Sequence, residues 1–164
     1  MQREKACCIA GPEYLPDGIA EEWVRKKLGS EICRMVTYEA ISSFYVGMRP
    51  GVCQWAAEAV LRVKKDYPSV RLKCVLSCET LADEWTEPQR DRFYSVMEHC
   101  DEELMLQGAY TSDCERKCAK FLANRCDTFL AFWDGTEISA TGMALLYARR
   151  ENCEINLIKI VPPK

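Results

Sequence analysis

The chain has 164 residues and a mass of 18.8 kDa, enough for one well-filled core and too little for two ordinary domains, so residues 1–164 are read as a single domain. Apolar residues make up 48% and charged residues 29%, which excludes a disordered or fibrous chain. A net charge of -3 gives no general attraction to nucleic acid, and no apolar run reaches membrane-spanning length, so neither is an expected partner.

Met1 to Lys5 leads into a five-residue apolar run too short for a signal segment, and a cytoplasmic location is expected. Ala6–Ala10 reads as the first strand, stopped by Gly11-Pro12. Ile19 to Ala40 is amphipathic, with Trp23, Leu28, Ile32 and Val36 at helical spacing. Ser43 to Val46 is the second strand. Val52 to Tyr67 is the strongest helix, with Trp55, Ala59, Val60 and Val63 on one face and Pro68 behind it. Val70 to Leu76 makes the third strand, and Glu79 to Glu87 a polar loop carrying Trp85. Pro88 opens a helix that runs to about His99. A short strand at Glu103 to Leu106, a helix at Asp113 to Arg125, and a strongly β-like strand at Thr128 to Trp133 follow. Asp134-Gly135 is a turn, and a helix from Ala140 to Arg150 and a strand from Ile155 to Val161 close the pattern.

The chain holds eleven cysteines, an odd number, mostly inside apolar runs. Without a secretory signal these read as reduced, buried thiols and not as a disulfide scaffold. Cys74 and Cys78, and Cys114 and Cys118, are four apart, but no CxxC pair occurs and His99 stands alone. No metal is expected.

Strands alternating with helices predict an α/β, Rossmann-like three-layer sandwich with a mainly parallel central sheet, because parallel neighbours need crossover helices. Ligands of such sheets gather outside the carboxyl ends of the strands. The loops there are Gly11 to Gly18, Gly47 to Gly51, Cys78 to Glu87, Gln107 to Thr111 and Asp134 to Gly142. The run from Phe44 to Glu58 carries the clearest signal: strand, glycine-bracketed loop, helix. Gly47 and Gly51 permit a sharp turn and a close approach, and the start of the helix offers unpaired amides to an anion. Arg49 adds a planar donor fork, Tyr14, Trp85 and Tyr110 add faces for stacking a base, and Glu79, Asp83 and Asp134 can accept from ribose hydroxyls.

Lys5 to Gly11, Gly47 to Glu58 with its Trp-Ala-Ala-Glu helix, Cys78 to Trp85, and Ala131 to Gly135 together with Tyr147-Ala148-Arg149 resemble, in order, the YpsA-like branch of the SLOG superfamily. The resemblance implies a Rossmann-like domain that binds nucleotides or nucleotide-derived ligands, related to phosphoribohydrolases, DNA-processing DprA proteins and sensor domains. No reaction is firmly attached to the YpsA-like branch. The chain also departs from it: Gly11-Pro12-Glu13-Tyr14 stands where a basic loop is usual, Cys53 where an acid is common, and Ser139-Ala140-Thr141-Gly142 where Gly-Gly-Thr is.

The expected ligand-contacting set is Gly11, Pro12, Gly47, Met48, Arg49, Gly51, Val52, Glu58, Glu79, Trp85, Asp134, Gly135 and Thr141. Three functions follow. The first and preferred is a non-catalytic sensor or sequestering domain for a nucleotide or nucleotide-derived small molecule. The second is a hydrolase of a nucleotide N-glycosidic bond, for which Glu58 and Glu79 are the available carboxylates. The third is an interaction module with a vestigial pocket. None needs a cofactor beyond a bound nucleotide or its derivative, and homo-oligomerisation stays open.

Overall fold

A computed structural model of the protein describes residues 4–161. The elements run in strict alternation: β1 (Ala6–Ala10), α1 (Glu21–Tyr38), β2 (Ser43–Gly47), α2 (Val52–Asp66), β3 (Arg71–Leu76), α3 (Glu87–His99), β4 (Glu102–Met105), α4 (Cys114–Arg125), β5 (Thr128–Trp133), α5 (Ala140–Arg150) and β6 (Glu154–Lys159). All six strands join one parallel sheet in the order β4-β3-β2-β1-β5-β6. The expected α/β sandwich is the fold.

The order of the strands follows from crossover handedness. From β1 the chain steps outward through β2, β3 and β4, so right-handed connections place α1, α2 and α3 on one face. It then returns past β1 to β5 and β6, which places α4 and α5 on the other. Helix contacts agree, with α1 on α2, α2 on α3, and α4 on α5. The central strands are therefore covered twice, and β1 and β5 are apolar on both faces. The edge strands are β4, which is short, and β6, and they carry Glu102, Glu103, Glu154 and Lys159, charges that discourage pairing with another chain.

Two apolar layers hold the sheet. On one face Val24, Leu28, Ile32 and Met35 of α1 pack with Trp55, Ala59 and Val60 of α2. On the other, Leu122 of α4 and Ala144, Leu145 and Ala148 of α5 pack on Phe129 and Ala131. The buried stripe of α1 is displaced from the expected one. Leu28 and Ile32 lie on it, but Val24 and Met35 take the places read as Trp23 and Val36, and Trp23 is 46% exposed. Trp23 lies one residue, about 100° of helix, from the buried stripe.

Two helix entries, those of α3 and α5, carry side-chain caps. At α3 the Thr86 hydroxyl accepts from the Gln89 amide at 3.3 Å while the Gln89 side chain accepts from the Thr86 amide at 3.0 Å, a reciprocal cap just ahead of Pro88. All eleven cysteines are free thiols, and eight are buried. The Cys8 thiol donates to the Leu122 carbonyl at 3.0 Å and the Cys126 thiol to the same carbonyl at 3.2 Å, so these groups fill the core and satisfy a helix end together. Among the described residues no group of three or more His, Cys, Asp or Glu is placed to hold a metal ion, and no helix is long and apolar enough to cross a membrane.

Candidate functional site

The chain leaves β1 toward one face of the sheet and β5 toward the other, so their loops diverge and open a crevice at the carboxyl ends. Three compartments occupy this crevice and share residues, which makes them one cleft. An apolar floor of about 70 Å³ lies over the ends of β1, β2 and β3. One arm of about 270 Å³ runs under Phe132, Trp133 and Asp134 to the start of α5. The other, of about 710 Å³, runs along Thr80 to Gln89 and Tyr110. The larger arm falls within the roughly 300–1,000 Å³ of small-molecule sites. Arg49 borders all three.

Arg49 sits at the junction because the loop after β2 projects it over the floor while Met48, fully buried, anchors the loop below. The Met48 carbonyl accepts from the Gln54 side chain at 3.2 Å, tying that anchor to α2. The guanidinium lies between two carboxylates: Nη2 is 3.8 Å from Glu13 Oε2 and Nη1 is 3.6 Å from Glu115 Oε2. Glu13 comes from the loop after β1 and Glu115 from the first turn of α4, where the helix dipole favours an acid. The Ser77 hydroxyl donates to the other oxygen of Glu115 at 3.0 Å and fixes its position. An acid-base-acid bridge thus spans the cleft above its floor.

The floor itself is apolar, with Ile9, Val75, Leu81 and Leu122 beside the thiols of Cys53 and Cys118. Burial pushes the Cys53 thiol up to about 11 and the Cys118 thiol up to about 12, so both are protonated and inert at neutral pH. The wall of the larger arm is aromatic. Trp85 stands edge-on against Phe93 with ring centroids 5.4 Å apart, while Tyr14 and Tyr110 are largely exposed at the mouth. The loop after β3 is tied to that after β4 by the Glu79 amide donating to the Gly108 carbonyl at 2.9 Å.

Of the residues singled out in the sequence, Gly11, Pro12, Gly47, Met48, Arg49, Trp85, Asp134 and Thr141 line the cleft. Gly51, Val52, Glu58, Glu79 and Gly135 border none of its three compartments. Gly51 has φ +84°, and a side chain there would strike the carbonyls of Pro12 and Glu13. The Val52 amide donates to the Pro12 carbonyl at 3.2 Å. The close approach that this glycine permits is therefore between two loops of the chain, and the first amide of α2 is already paired. Gly11 serves the same junction, since a Cβ there would strike the Val52 side chain.

Glu58 lies in the helical layer, with Oε1 3.1 Å from Arg92 Nε of α3 and 4.0 Å from Arg25 Nη1 of α1, whose guanidinium lies over the Trp55 ring at 5.3 Å. It joins three helices. Glu79 is exposed at the rim. Asp134 accepts from the Thr136 amide at 2.8 Å, an Asx turn completed by Gly135 at φ +96°. Thr141, buried in the first turn of α5, faces both the floor and the smaller arm. The Ser139 hydroxyl caps that turn by accepting from the Gly142 amide at 3.0 Å.

Glu115 is not marked by the sequence, because it stands on a helix and not on a strand-end loop, and an acid in a first turn reads as a dipole partner. Its approach to Arg49 crosses the sheet's end from the opposite layer, which no local pattern reports. Glu13 was visible in the sequence only as a departure from a basic loop; its partner lies on another strand's loop.

The family model described as the YspA SLOG family matches residues 18–161. A UPF0398 protein of Brevibacillus brevis is 26% identical over 144 residues, covering 84% of this chain and 74% of its own. A UPF0398 protein of Halalkalibacterium halodurans is 21% identical over 144 residues, covering 86% of this chain and 76% of its own.

Proposed function

The chain belongs to the YspA SLOG family, and from that premise we propose that its cleft binds a nucleotide-derived small molecule without transforming it, as a sensor or sequestering domain does. Membership in a SLOG family suggests a nucleotide-related ligand-binding domain. The observation that carries the reading is the make-up of the cleft at the switch point of the sheet: aromatic faces from Tyr14, Trp85 and Tyr110, carboxylate acceptors at Asp83 and Asp134, and Arg49 between the two arms. These are the groups that a base, a ribose and one anionic or carbonyl group call for. Neither Glu58 nor Glu79, the two carboxylates named for an N-glycosidic hydrolase, borders this cleft, so that reading loses the acid and base it was given.

One portion of purified protein is denatured by heat and the released small molecules are analysed by mass spectrometry, and a second, native portion, emptied by exhaustive dialysis, is titrated with nucleosides and nucleotides by calorimetry. A base-containing compound in stoichiometric amount, or saturable binding of one of the panel with no free base produced, supports the reading. Release of free base during incubation makes the protein a hydrolase. Neither a released compound nor binding leaves the interaction module as the better account.

A further inference from the structure

We propose, resting on the reading of the cleft as a nucleotide-ligand site, that it selects low-charge ligands: nucleosides, or derivatives whose added group is neutral or cationic, in preference to phosphorylated nucleotides. The charges lining the cleft among the described residues are Glu13, Asp83, Glu84, Glu115 and Asp134 against Arg49 alone. The arginine is not held in reserve for a phosphate, because Glu13 lies 3.8 Å and Glu115 3.6 Å from its two terminal nitrogens. A phosphate reaching Arg49 therefore meets two carboxylates at ion-pair range and one partly satisfied cation.

Glu13 and Glu115 are each about 30% exposed in their side chains, so water does not fully screen them, and the serine bond from Ser77 holds Glu115 in place. At the start of α2, the other place a phosphate could turn, the first amide is already taken, since that of Val52 donates to the Pro12 carbonyl. The same carboxylates favour a ligand that donates. Ribose hydroxyls, exocyclic amines of a base and an appended ammonium all find acceptors here, and the apolar floor beneath Arg49, at about 70 Å³, admits only a small unionised group.

The test is calorimetric titration of the emptied protein, in chelator to keep divalent cations from masking phosphate charge, with adenosine, guanosine, cytidine and uridine and with the mono- and triphosphate of each. The expected result is that the best nucleoside binds at least about tenfold more tightly than its triphosphate at low salt, with the gap narrowing as salt screens the carboxylates. In the double variant Glu13→Gln/Glu115→Gln, the ratio of triphosphate to nucleoside affinity rises by about tenfold or more. A triphosphate or monophosphate that binds as tightly as its nucleoside overturns the inference and leaves the nucleotide reading standing. A ratio unmoved by the folded double variant overturns the role given to these two carboxylates. If the variant does not fold, the salt dependence of the parent protein decides the matter. Absence of binding by every member of the panel overturns the nucleotide reading and this inference with it.

Discussion

The Val52 amide donates to the Pro12 carbonyl at 3.2 Å, which locks the loop after β1 to the start of α2 backbone to backbone. That contact explains why Gly51 is a glycine: its φ of +84° suits no L side chain, and a Cβ would meet the carbonyls of Pro12 and Glu13. Gly51→Ala is expected to lower stability by at least about 2 kcal/mol. Gly47, by contrast, would bring a Cβ only to 4.0 Å from Cys118 Sγ, an ordinary contact, and Gly47→Ala is expected to cost less than about 1 kcal/mol. Urea denaturation of the two variants checks the contrast. Equal losses would mean that the junction of loops is not what Gly51 serves.

The elements were legible because their signals are local. The strand Thr128–Trp133 and the helix Ala140–Arg150 lie where their composition and flanking turn place them, and the alternation of types by itself implies a parallel sheet. The phase of α1 was less legible. Trp23 competes with Val24 for the inward stripe, but Val24, Leu28, Ile32 and Met35 stand four, four and three apart on one helix face, whereas Trp23 stands five before Leu28. Loops that end at the cleft could be named from strand ends alone. Which of their residues touch could not, since Arg49 with Glu13 and Glu115 is a meeting of three segments from both sides of the sheet.

Asp101 gives a pH dependence with a definite sign. Burial acts to raise its carboxyl, but Lys64, the Leu72 amide donating at 2.8 Å, and Arg71 together hold it below its ordinary value. A depressed value in the folded state means that its stabilisation is present above the unfolded carboxyl's titration and is lost as pH falls through the folded one. Asp101→Asn is expected to be about 1–2 kcal/mol less stable than the parent near neutrality, with the difference closing as pH falls below the ordinary carboxylate range. Denaturant midpoints across that range measure it. A difference that grows on acidification contradicts the assignment.

The thiols on the floor of the cleft should resist alkylation in the native protein. With Cys53 pushed up to about 11, on the order of one molecule in a thousand carries the thiolate at pH 8, and Cys118 carries it more rarely still. Brief treatment with iodoacetamide followed by peptide mapping should therefore label the partly exposed Cys33 well before either. Under denaturing, non-reducing conditions all eleven are expected to label. Rapid native labelling of Cys53 would place an activating group in the floor that the geometry does not contain.

Glu58 separates stability from ligand recognition. Its Oε1 is 3.1 Å from Arg92 Nε and 4.0 Å from Arg25 Nη1, which joins α2 to α3 and α1, and it borders no compartment of the cleft. Removing its charge leaves two arginines beside a partly buried position with no anion between them. Glu58→Gln is accordingly expected to lower stability by about 1–2 kcal/mol, discounted for a side chain that is 27% exposed. Affinity for the best nucleoside should stay within about twofold of the parent, because interactions separated by a helical layer act nearly independently. Thermal denaturation and calorimetry on the same preparation read the two effects. Loss of binding in a folded, only mildly destabilised Glu58→Gln protein would show that this carboxylate acts on the ligand, and would restore it as the candidate acid of a hydrolytic site.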